Sequence, residues 1–291
     1  MNDITTKIYE KIFKKINDQY IDVFLCGGVS RKKNKSIRDL IREKLINTKD
    51  IRILYPEDLF IEILTIDKKS DLLTLERVLA KNCDLICIVA ESAGSLVELG
   101  AFVNNDKTKE KVIALVDEKR KKDKSFIMLG PIKYLKKFNK KQVIFYNNNN
   151  IEKVSIELKK FFKQYKKGKL SSRKVDGKNI NNIIGIYNYI PLLLYFYTEI
   201  EASNLKKSIK EVYLNQSYKE EKFLTLFKSG IKLLYKEKFI YKNLDYDKTK
   251  YKLTQNGYDF VYNLLSRLEI SNRRKLYDSI RFDIMEEKYY Q

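Results

Sequence analysis

The sequence has no histidine and only three cysteines among its 291 residues. The absence of histidine excludes Ser-His and Cys-His catalytic pairs, histidine proton relays and histidine metal ligands. Cys26, Cys83 and Cys87 show no CxxC spacing, so neither a disulfide framework nor a structural zinc site is predicted. Buried thiols in a reducing cytoplasm are expected, and no metal site is expected.

Long apolar segments are also lacking. Residues 1–20 are charged and amphipathic, so no secretory signal is expected. The longest apolar run, Ile183–Ile200, contains Asn188, Pro191 and Glu199 and is at the short end of membrane-spanning length. It therefore predicts a buried helix, and the protein is expected to be cytoplasmic with no membrane partner.

What the sequence does have is a globular composition with a large positive charge. The hydrophobic fraction of 44% and the chain length favour two ordinary domains, each with its own core. The formal net charge of +21 favours a polyanionic partner such as nucleic acid. The lysines are spread along the whole chain, as an AT-rich genome would produce, so the charge alone does not locate a binding face.

The first half of the chain alternates short β-rich runs with helical patterns, which is typical of a parallel sheet covered on both faces. We therefore predict an α/β domain with a Rossmann/flavodoxin-like parallel sheet that binds ligands at the carboxyl edge of its strands. The predicted strands are Ile21–Leu25, Ile51–Tyr55, Asp84–Val89, Lys111–Val116 and Val143–Tyr146, and the predicted helices are Ile37–Leu45, Leu72–Ala80 and Leu96–Val103.

A lysine-rich stretch, Lys159–Lys178, is interpreted as the tail of a helix followed by a linker, because it runs through Gly168 into polar sequence. The expected organisation is a catalytic domain over residues 1–165, a basic linker over 166–180 and a mostly helical domain over 181–291. The order of elements in that second domain is typical of a winged helix. Its predicted elements are helices Leu205–Tyr213 and Glu220–Lys236, capped by Ser203 and Ser217, strands Phe239–Tyr241 and Lys250–Leu253, and helix Gly257–Leu265.

The segment most informative about chemistry is residues 90–102, which follows a buried strand and opens a helix. Backbone N–H groups of its small-residue turn around Gly94 form an anion site suited to phosphate, and Ser92 and Ser95 add hydroxyl donors. Glu98 is placed in the first helical turn, where the helix dipole keeps its carboxylate ionised and able to attack an anomeric carbon. The alternative is that Glu98 is only an acid at the start of a helix.

Ser92 and Glu98-Leu99-Gly100, following a strand with Asp84, resemble the motif of nucleoside 2-deoxyribosyltransferases and 2′-deoxynucleoside 5′-phosphate N-hydrolases. The resemblance implies that Glu98 is the catalytic nucleophile and that Ser92 binds phosphate. It also implies that Glu76, which precedes the buried strand, assists catalysis and contacts the sugar.

The first strand carries one further match and one departure. In the family this strand ends in a Cys-Gly-Ser-like turn that contacts the nucleotide, and Cys26-Gly27-Gly28 matches it, with Ser30 and Arg31 following. For Arg31 a phosphate contact and a solvated charge run are both open. The family often has a tyrosine at the position of Phe24 that hydrogen-bonds the nucleophile, so that hydroxyl is missing here.

A longer series of motifs covers most of residues 20 to 140: Phe24–Gly28, Tyr55–Phe60, Leu72–Ala80, Glu98–Phe102 with Asn104-Asn105, and Ser125–Ile127 with Gly130-Pro131. Together they resemble the toxic effector of type II-A retrons, which pairs a deoxyribosyltransferase-like domain with a winged-helix-like domain. The resemblance implies an anti-phage system in which a reverse transcriptase and its multicopy single-stranded DNA (msDNA), with structured RNA, hold the effector inactive. It also implies a homo-oligomeric or filamentous assembly, and NAD+ as the depleted substrate.

The scarcity of proton donors favours NAD+ over an unactivated nucleoside. Cleaving a neutral purine from its sugar usually requires a general acid, whereas the nicotinamide of NAD+ carries a positive charge and leaves as a neutral molecule. No histidine is present, and Phe24 supplies no phenol. Nucleotides remain the alternative substrate, because Glu76 can itself carry a proton if it is buried. NAD+ enters as substrate, and no cofactor is expected.

Two further groups of residues are candidates. Glu57 and Asp58 follow the second strand and suit the hydroxyls of a ribose, although acids at that position also favour the start of a helix. A lysine-lined helix in the second domain, with Phe223 and Phe227 facing inward, suits a nucleic-acid backbone or a protein partner. Its lysines are Lys219, Lys222, Lys228, Lys232 and Lys236.

Three functions are compatible with these patterns. The first is an N-glycosidase that acts on NAD+ or nucleotides through Glu98 and is silenced by a nucleoprotein partner. The second is a nucleotide-sensing Rossmann-like domain that controls a winged-helix nucleic-acid-binding module without turnover. The third, a salvage deoxyribosyltransferase, leaves the basic second domain unexplained.

Overall fold

The computed structural model describes residues 2–31, 34–46, 48, 51–55, 83–172, 179–245, 248–266 and 268–289. The described residues from 20 to 172 form a first unit, and those from 2 to 19 and from 179 to 289 form a second unit. The N-terminal helix, α1, runs through Asn2–Ile8, a π-helical segment Tyr9–Phe13 and Lys14–Gln19.

A five-stranded parallel sheet forms the centre of the first unit. Its hydrogen-bonded order is β2-β1-β3-β4-β5, and every neighbouring pair is parallel. This is the strand order of flavodoxin-like sheets. The predicted α/β fold is confirmed, and the predicted strands are confirmed to within one residue at each end. The strands are β1 (Ile21–Cys26), β2 (Ile51–Leu54), β3 (Leu85–Val89), β4 (Val112–Asp117) and β5 (Val143–Tyr146).

Helices pack against this sheet. They are α2 (Ile37–Leu45), α3 (Ala93–Val103), α4 (Lys133–Phe138) and α5 (Ile151–Ser172). The bounds of α2 are those predicted, whereas α3 begins three residues before its predicted start. A π-helical segment, Met128–Ile132, precedes α4. The predicted helix Leu72–Ala80 lies outside the described residues.

The core explains why the strands could be read from the sequence. All residues of β1 and β3 are buried, because helices cover both faces of these central strands. The sequence therefore shows apolar runs, which are unbroken in β3 and contain the buried charged residue Asp22 in β1. On one face Leu25, Cys87 and Leu115 pack with Ile41 of α2 and Phe162 of α5. Burial of each large apolar side chain contributes about 1.5–3 kcal/mol. This packing holds the carboxyl ends of the strands together at one edge.

The predicted start of the linker at residue 166 is wrong, because α5 continues to Ser172. Phe162 is fully buried, and Phe161 and Tyr165 pack partly buried against the same core. This apolar face carries the helix through a stretch whose composition is dominated by lysine. Gly168 does not interrupt it.

The second unit contains helices and a small antiparallel sheet. In chain order its elements are α6 (Ile183–Tyr197), β6 (Glu199–Glu201), α7 (Ala202–Asn215), α8 (Phe223–Lys236), β7 (Ile240–Asp245), β8 (Lys248–Leu253), α9 (Gln255–Ser266) and α10 (Arg273–Tyr289). The sheet has the order β6-β8-β7. Strand β6 was not predicted, because three residues are too few to show an alternating pattern.

Residues 2–19 pack with this second unit. The expected first domain of residues 1–165 is therefore wrong at its N-terminal end. The hydroxyl of Tyr189 on α6 donates to the carbonyl of Thr5 at 2.7 Å. The ammonium of Lys7 contacts Asp283 of α10 at 2.5 Å. Tyr9 is fully buried, and its ring lies 5.5 Å from that of Tyr189. Through these contacts α1 forms part of the core of the second unit.

The predicted buried helix is confirmed as α6, which ends at Tyr197. Among the described residues no helix has the length and hydropathy needed to cross a membrane. The predicted caps are wrong: Ser217 has a positive φ of 59° in a turn, and Ser203 lies within α7. Thr254 instead caps α9, where its hydroxyl accepts the N–H of Gly257 at 3.1 Å.

Candidate active site

The turn between β3 and α3 is fixed by a capping box. The hydroxyl of Ser92 accepts the N–H of Ser95 at 3.2 Å, and the hydroxyl of Ser95 accepts the N–H of Ser92 at 3.0 Å. Ser95 is buried, and its hydroxyl also lies 2.9 Å from the Ser92 carbonyl oxygen. The hydrogen bonds of Ser95 thus serve the start of the helix. Gly94 is exposed, with open space around its Cα, so a ligand can approach this turn at Gly94 and at the half-buried Ser92.

Glu98 lies in the second turn of α3, because the helix begins at Ala93. Its predicted placement in the first turn is wrong, and Glu98 therefore lies beyond the turn in which the helix dipole acts. Glu98 is half-buried, one turn after Gly94 on the same helix face. The predicted nucleophile and the predicted phosphate-binding turn therefore belong to the same helix.

A carboxylate that the sequence prediction missed joins this turn to the first strand. Glu91 accepts the N–H groups of Gly28 at 3.0 Å, Ile37 at 2.8 Å and Arg38 at 3.1 Å. It thereby fastens the turn after β1 and the N-terminus of α2 to the end of β3. The negative charge of Glu91 lies at the N-terminus of α2, where the helix dipole favours it. In the sequence, its position immediately after a buried strand and within residues 90–102 could have indicated that Glu91 belongs to the site.

The glycines after β1 make room for Glu91. A Cβ at Gly27 would lie 2.8 Å from the Cβ of Arg38 and 3.1 Å from Oε1 of Glu91, and one at Gly28 would lie 3.2 Å from Cγ of Glu91. A Cβ at Gly27 would therefore collide with Arg38, whereas one at Gly28 would require the Glu91 side chain to shift by a few tenths of an ångström. Both glycines were predicted to contact the nucleotide. The amide of Gly28 is already bonded to a carboxylate of the protein. Cys26, also predicted to contact substrate, is buried at the end of β1.

A second polar cluster lies between the turn after β1 and the end of β2. The carboxylate of Asp39 accepts hydrogen bonds from the hydroxyls of Ser30 and Tyr55. Burial raises the pKa of Asp39, but these two hydrogen bonds and the charge of Arg38 outweigh it and hold that pKa below its ordinary value. Burial and the hydrogen bond to Asp39 raise the pKa of Tyr55. The guanidinium carbons of Arg38 and Arg42 lie 4.2 and 4.4 Å from the centre of the Tyr55 ring.

A cavity of about 610 Å³ opens beside this cluster. Arg31, a predicted substrate contact, is exposed at its rim, where its backbone pairs with that of Asn34. The cavity is lined by Ser30, Arg31, Asn34, Lys35, Asp39, Arg42, Glu43 and Tyr55. It stands at the carboxyl edge of β1 and β2, the edge at which a parallel sheet binds ligands.

The remaining predicted site residues lie in several parts of the first half of the chain. Glu57, Asp58 and Glu76 lie outside the described residues. Phe24 is fully buried in the middle of β1. Asp84 lies at the opposite edge of the sheet, where its Oδ2 accepts the N–H of Asp22 at 2.8 Å. The aspartate of the recognised motif thus supports the sheet from the edge away from Glu98.

The predicted lysine surface of the second unit is exposed. Phe223 and Phe227 of α8 are buried, as expected for its inward face. Lys228, Lys232 and Lys236 are spaced by four residues and share one side of α8. The exposed set comprises Lys219, Lys222, Lys228, Lys232 and Lys236.

Comparison with known proteins finds matches over most of the chain. Residues 34–242 match the model of a family described as STM3845 retron effector protein. An Escherichia coli protein named "Retron Ec86 putative ribosyltransferase/DNA-binding protein" is 31% identical over 276 residues, which cover 91% of this chain and 84% of the relative. A second, named "Retron Ec73 putative ribosyltransferase/DNA-binding protein", also from Escherichia coli, is 36% identical over 118 residues, covering 38% of this chain and 36% of the relative.

Proposed function

Because the chain belongs to the STM3845 retron effector family, we propose that its first unit is an N-glycosidase that hydrolyses NAD+ and that its second unit binds the retron nucleoprotein. The observation that carries the enzymatic part is the position of Glu98, one helical turn after an open, Ser92-capped helix start at the carboxyl edge of a parallel sheet. The names of both relatives include putative ribosyltransferase, and transfer of a ribosyl group also takes place at a ribose carbon.

The proposed reaction uses Glu98 as the nucleophile. Its carboxylate forms a bond to C1′ of the nicotinamide ribose, and the bond from C1′ to the ring nitrogen breaks. The electron pair stays on that nitrogen and cancels its positive charge, so nicotinamide leaves without a proton. The oxygen of a water molecule then forms a bond to C1′, and the bond from C1′ to Glu98 breaks, which frees the carboxylate and releases ADP-ribose. The proton that the water loses goes to the solvent. Glu76 is the proposed assisting acid, and the turn at Ser92 holds a phosphate.

NAD+ is favoured over a neutral nucleoside because the described part of β1 offers no phenol beside the site. Phe24 is fully buried where related enzymes often have a tyrosine. A leaving group that needs no proton suits such surroundings. Nucleotides stay the second candidate, since the helix start at Ser92 would hold their phosphate equally well.

The second unit is proposed to be a winged-helix module. The order α6-β6-α7-α8-β7-β8 and the sheet order β6-β8-β7 support this assignment. The exposed lysines of α8 supply charge for msDNA or structured RNA, and the name of the Ec86 relative includes DNA binding. Reverse transcriptase with msDNA is proposed to hold the effector inactive, within a homo-oligomeric or filamentous assembly.

Incubation of the purified chain with NAD+ tests the enzymatic proposal, with nicotinamide measured by chromatography. Glu98→Gln keeps the shape of the side chain and removes the nucleophile, so we expect a loss of about 10³-fold or more. Glu157→Gln, an exposed acid on α5, is the matched control and should retain wild-type release. Equal release by both variants would end the proposal. No release by any form, with nucleotide-dependent DNA affinity, would support the sensor without turnover.

A further inference from the structure

Three tyrosines of the second unit form a ladder that leads from the core to the solvent. The rings of Tyr195 on α6 and Tyr258 on α9 stack with centres 5.1 Å apart and an interplanar angle of 29°. The ring of Tyr262, one helical turn further along α9, lies 6.4 Å from that of Tyr258 and at only 12° to it. Tyr258 is 45% exposed and Tyr262 is 54% exposed. We call these residues the tyrosine ladder.

The inner end of the ladder is fixed. Tyr195 meets the buried Phe196 edge to face, with ring centres 5.4 Å apart, and Phe196 meets Tyr277 of α10 in the same way. The inward face of α9 is formed by other residues, among them Val261 and Leu264, which are buried. The core therefore does not require large aromatic rings at the two outer positions. The ladder is a rigid, flat surface available to a partner.

A guanidinium stands beside the ladder. Arg281 lies one helical turn after Tyr277 on α10, and the ring of Tyr277 contacts Phe196 beside the ladder. Burial and the hydrogen bond with Tyr258 raise the pKa of Tyr195, while the positive charge of Arg281 acts in the opposite direction. Burial also raises the pKa of Tyr277, and the positive charge of Arg281 lowers it. Arg281 is half exposed and lies 3.8 Å from Asp278. The surface thus combines flat rings with an accessible cation.

We propose that the tyrosine ladder binds single-stranded nucleic acid, with unpaired bases stacked on Tyr258 and Tyr262 and a phosphate at Arg281. Every base has a face that stacks on an aromatic ring, and such stacking contributes about 1–3 kcal/mol per base. A duplex hides those faces, so the ladder distinguishes unpaired from paired strands. This surface is additional to the lysines of α8, which attract the backbone of either form.

Two paired variants test the ladder in the full-length chain, with binding measured by fluorescence anisotropy of labelled oligothymidylate and of a mixed-sequence duplex. Tyr258→Ala with Tyr262→Ala removes the rings, and Tyr258→Phe with Tyr262→Phe keeps them without hydroxyls. We expect the alanine pair to weaken single-strand binding by about tenfold or more, because the stacking of bases on both rings is lost. The phenylalanine pair should bind as the wild type does, and duplex affinity should be unchanged in both.

The chain contains no tryptophan, so Tyr262→Trp introduces a single reporter that keeps an aromatic ring. Base stacking should quench its fluorescence with oligothymidylate and not with the duplex, which decides the question even if the alanine pair folds poorly. Unchanged single-strand binding by a folded alanine pair, or no quenching, would overturn the inference. Equal loss by the alanine and phenylalanine pairs would also overturn it, because hydroxyls would then carry the binding.

A lysine control separates this inference from the proposed role of α8. Lys228→Gln with Lys232→Gln should weaken binding of single strands and duplex alike, because both expose phosphates. If these changes act and the ladder changes do not, the ladder inference fails while the lysine surface stands. If the wild type binds neither nucleic acid, both fail.

Discussion

Replacing Glu91 by glutamine is the most direct test of how the site is held together. Its two oxygens accept three backbone N–H groups, those of Gly28 and Arg38 at Oε1 and that of Ile37 at Oε2. Glutamine keeps one acceptor oxygen, which can serve the first two amides. Its NH₂ group would face the amide of Ile37 and offer no acceptor. The amide of Ile37, at the start of α2, should then separate from the end of β3.

The expected cost follows from these contacts. A partly buried amide left without an acceptor costs about 1–3 kcal/mol. The neutral side chain also loses about 0.3–1 kcal/mol of interaction with the N-terminus of α2. Glu91→Gln should therefore lower the free energy of unfolding of the first unit by about 2–3 kcal/mol, and its melting temperature by about 5–10 °C.

Urea unfolding followed by circular dichroism measures the loss, and hydrogen exchange at Gly28 and Ile37 locates it. Glu157→Gln, an exposed acid on α5, should stay within about 0.5 kcal/mol of the wild type. In Glu91→Gln, exchange at Ile37 should accelerate, whereas exchange at Gly28, whose acceptor oxygen remains, should not. If Glu91→Gln unfolds with the wild-type midpoint and the Ile37 amide remains protected, the carboxylate does not fasten the site.

Three further outcomes are expected. Gly27→Ala should destabilise the first unit by about 1–3 kcal/mol, because the new Cβ would lie 2.8 Å from the Cβ of a neighbouring residue. Gly100→Ala should stabilise the same unit by about 0.5–1 kcal/mol, because Gly100 lies in mid-helix with open space where the Cβ would be. Urea titrations of the two variants compare these effects. The pKa of Asp39 is held below its ordinary value of 3.8, so the stability it contributes is present above that pH and is lost as pH falls through the lower folded-state value. Tyr55→Phe removes one hydroxyl donor and brings the folded-state pKa of Asp39 closer to 3.8, so less stability should be lost on acidification and the loss should be complete at a higher pH. Urea midpoints measured between neutral and acidic pH would show no difference from the wild type if the bond is unimportant. Gly257→Ala would bring a Cβ within 2.0 Å of a backbone carbonyl oxygen, so the start of α9 must shift, and calorimetry should show a loss well above that of Gly27→Ala.

The sheet could be predicted because its strands leave a direct signal. A strand buried on both faces, such as β3, requires uninterrupted apolar residues, and its bounds follow from the run itself. The parallel arrangement followed from the helical patterns between the runs. The end of α5 was missed because lysine-rich composition concealed the spacing of Phe161, Phe162 and Tyr165.

The site could be predicted only where its residues are consecutive. Ser92 and Glu98 belong to one short motif, so their shared helix start was foreseen. The role of Glu91 depends on amides at residues 28, 37 and 38, which only the folded chain brings to it. The cluster of Asp39, Ser30 and Tyr55 is equally non-local. Such convergence leaves no spacing in the sequence for a pattern to reveal.

The pairing of α1 with the far end of the chain has a consequence for biosynthesis. The hydrogen bond between Thr5 and Tyr189 spans 184 positions, so the first helix emerges from the ribosome long before its partners exist. The sheet of the first unit can fold while the apolar side of that helix is still exposed to solvent. A nascent effector would thus complete the proposed glycosidase before the unit proposed to receive its inhibitor, and its timely restraint would depend on how quickly the last hundred or so residues are made and folded.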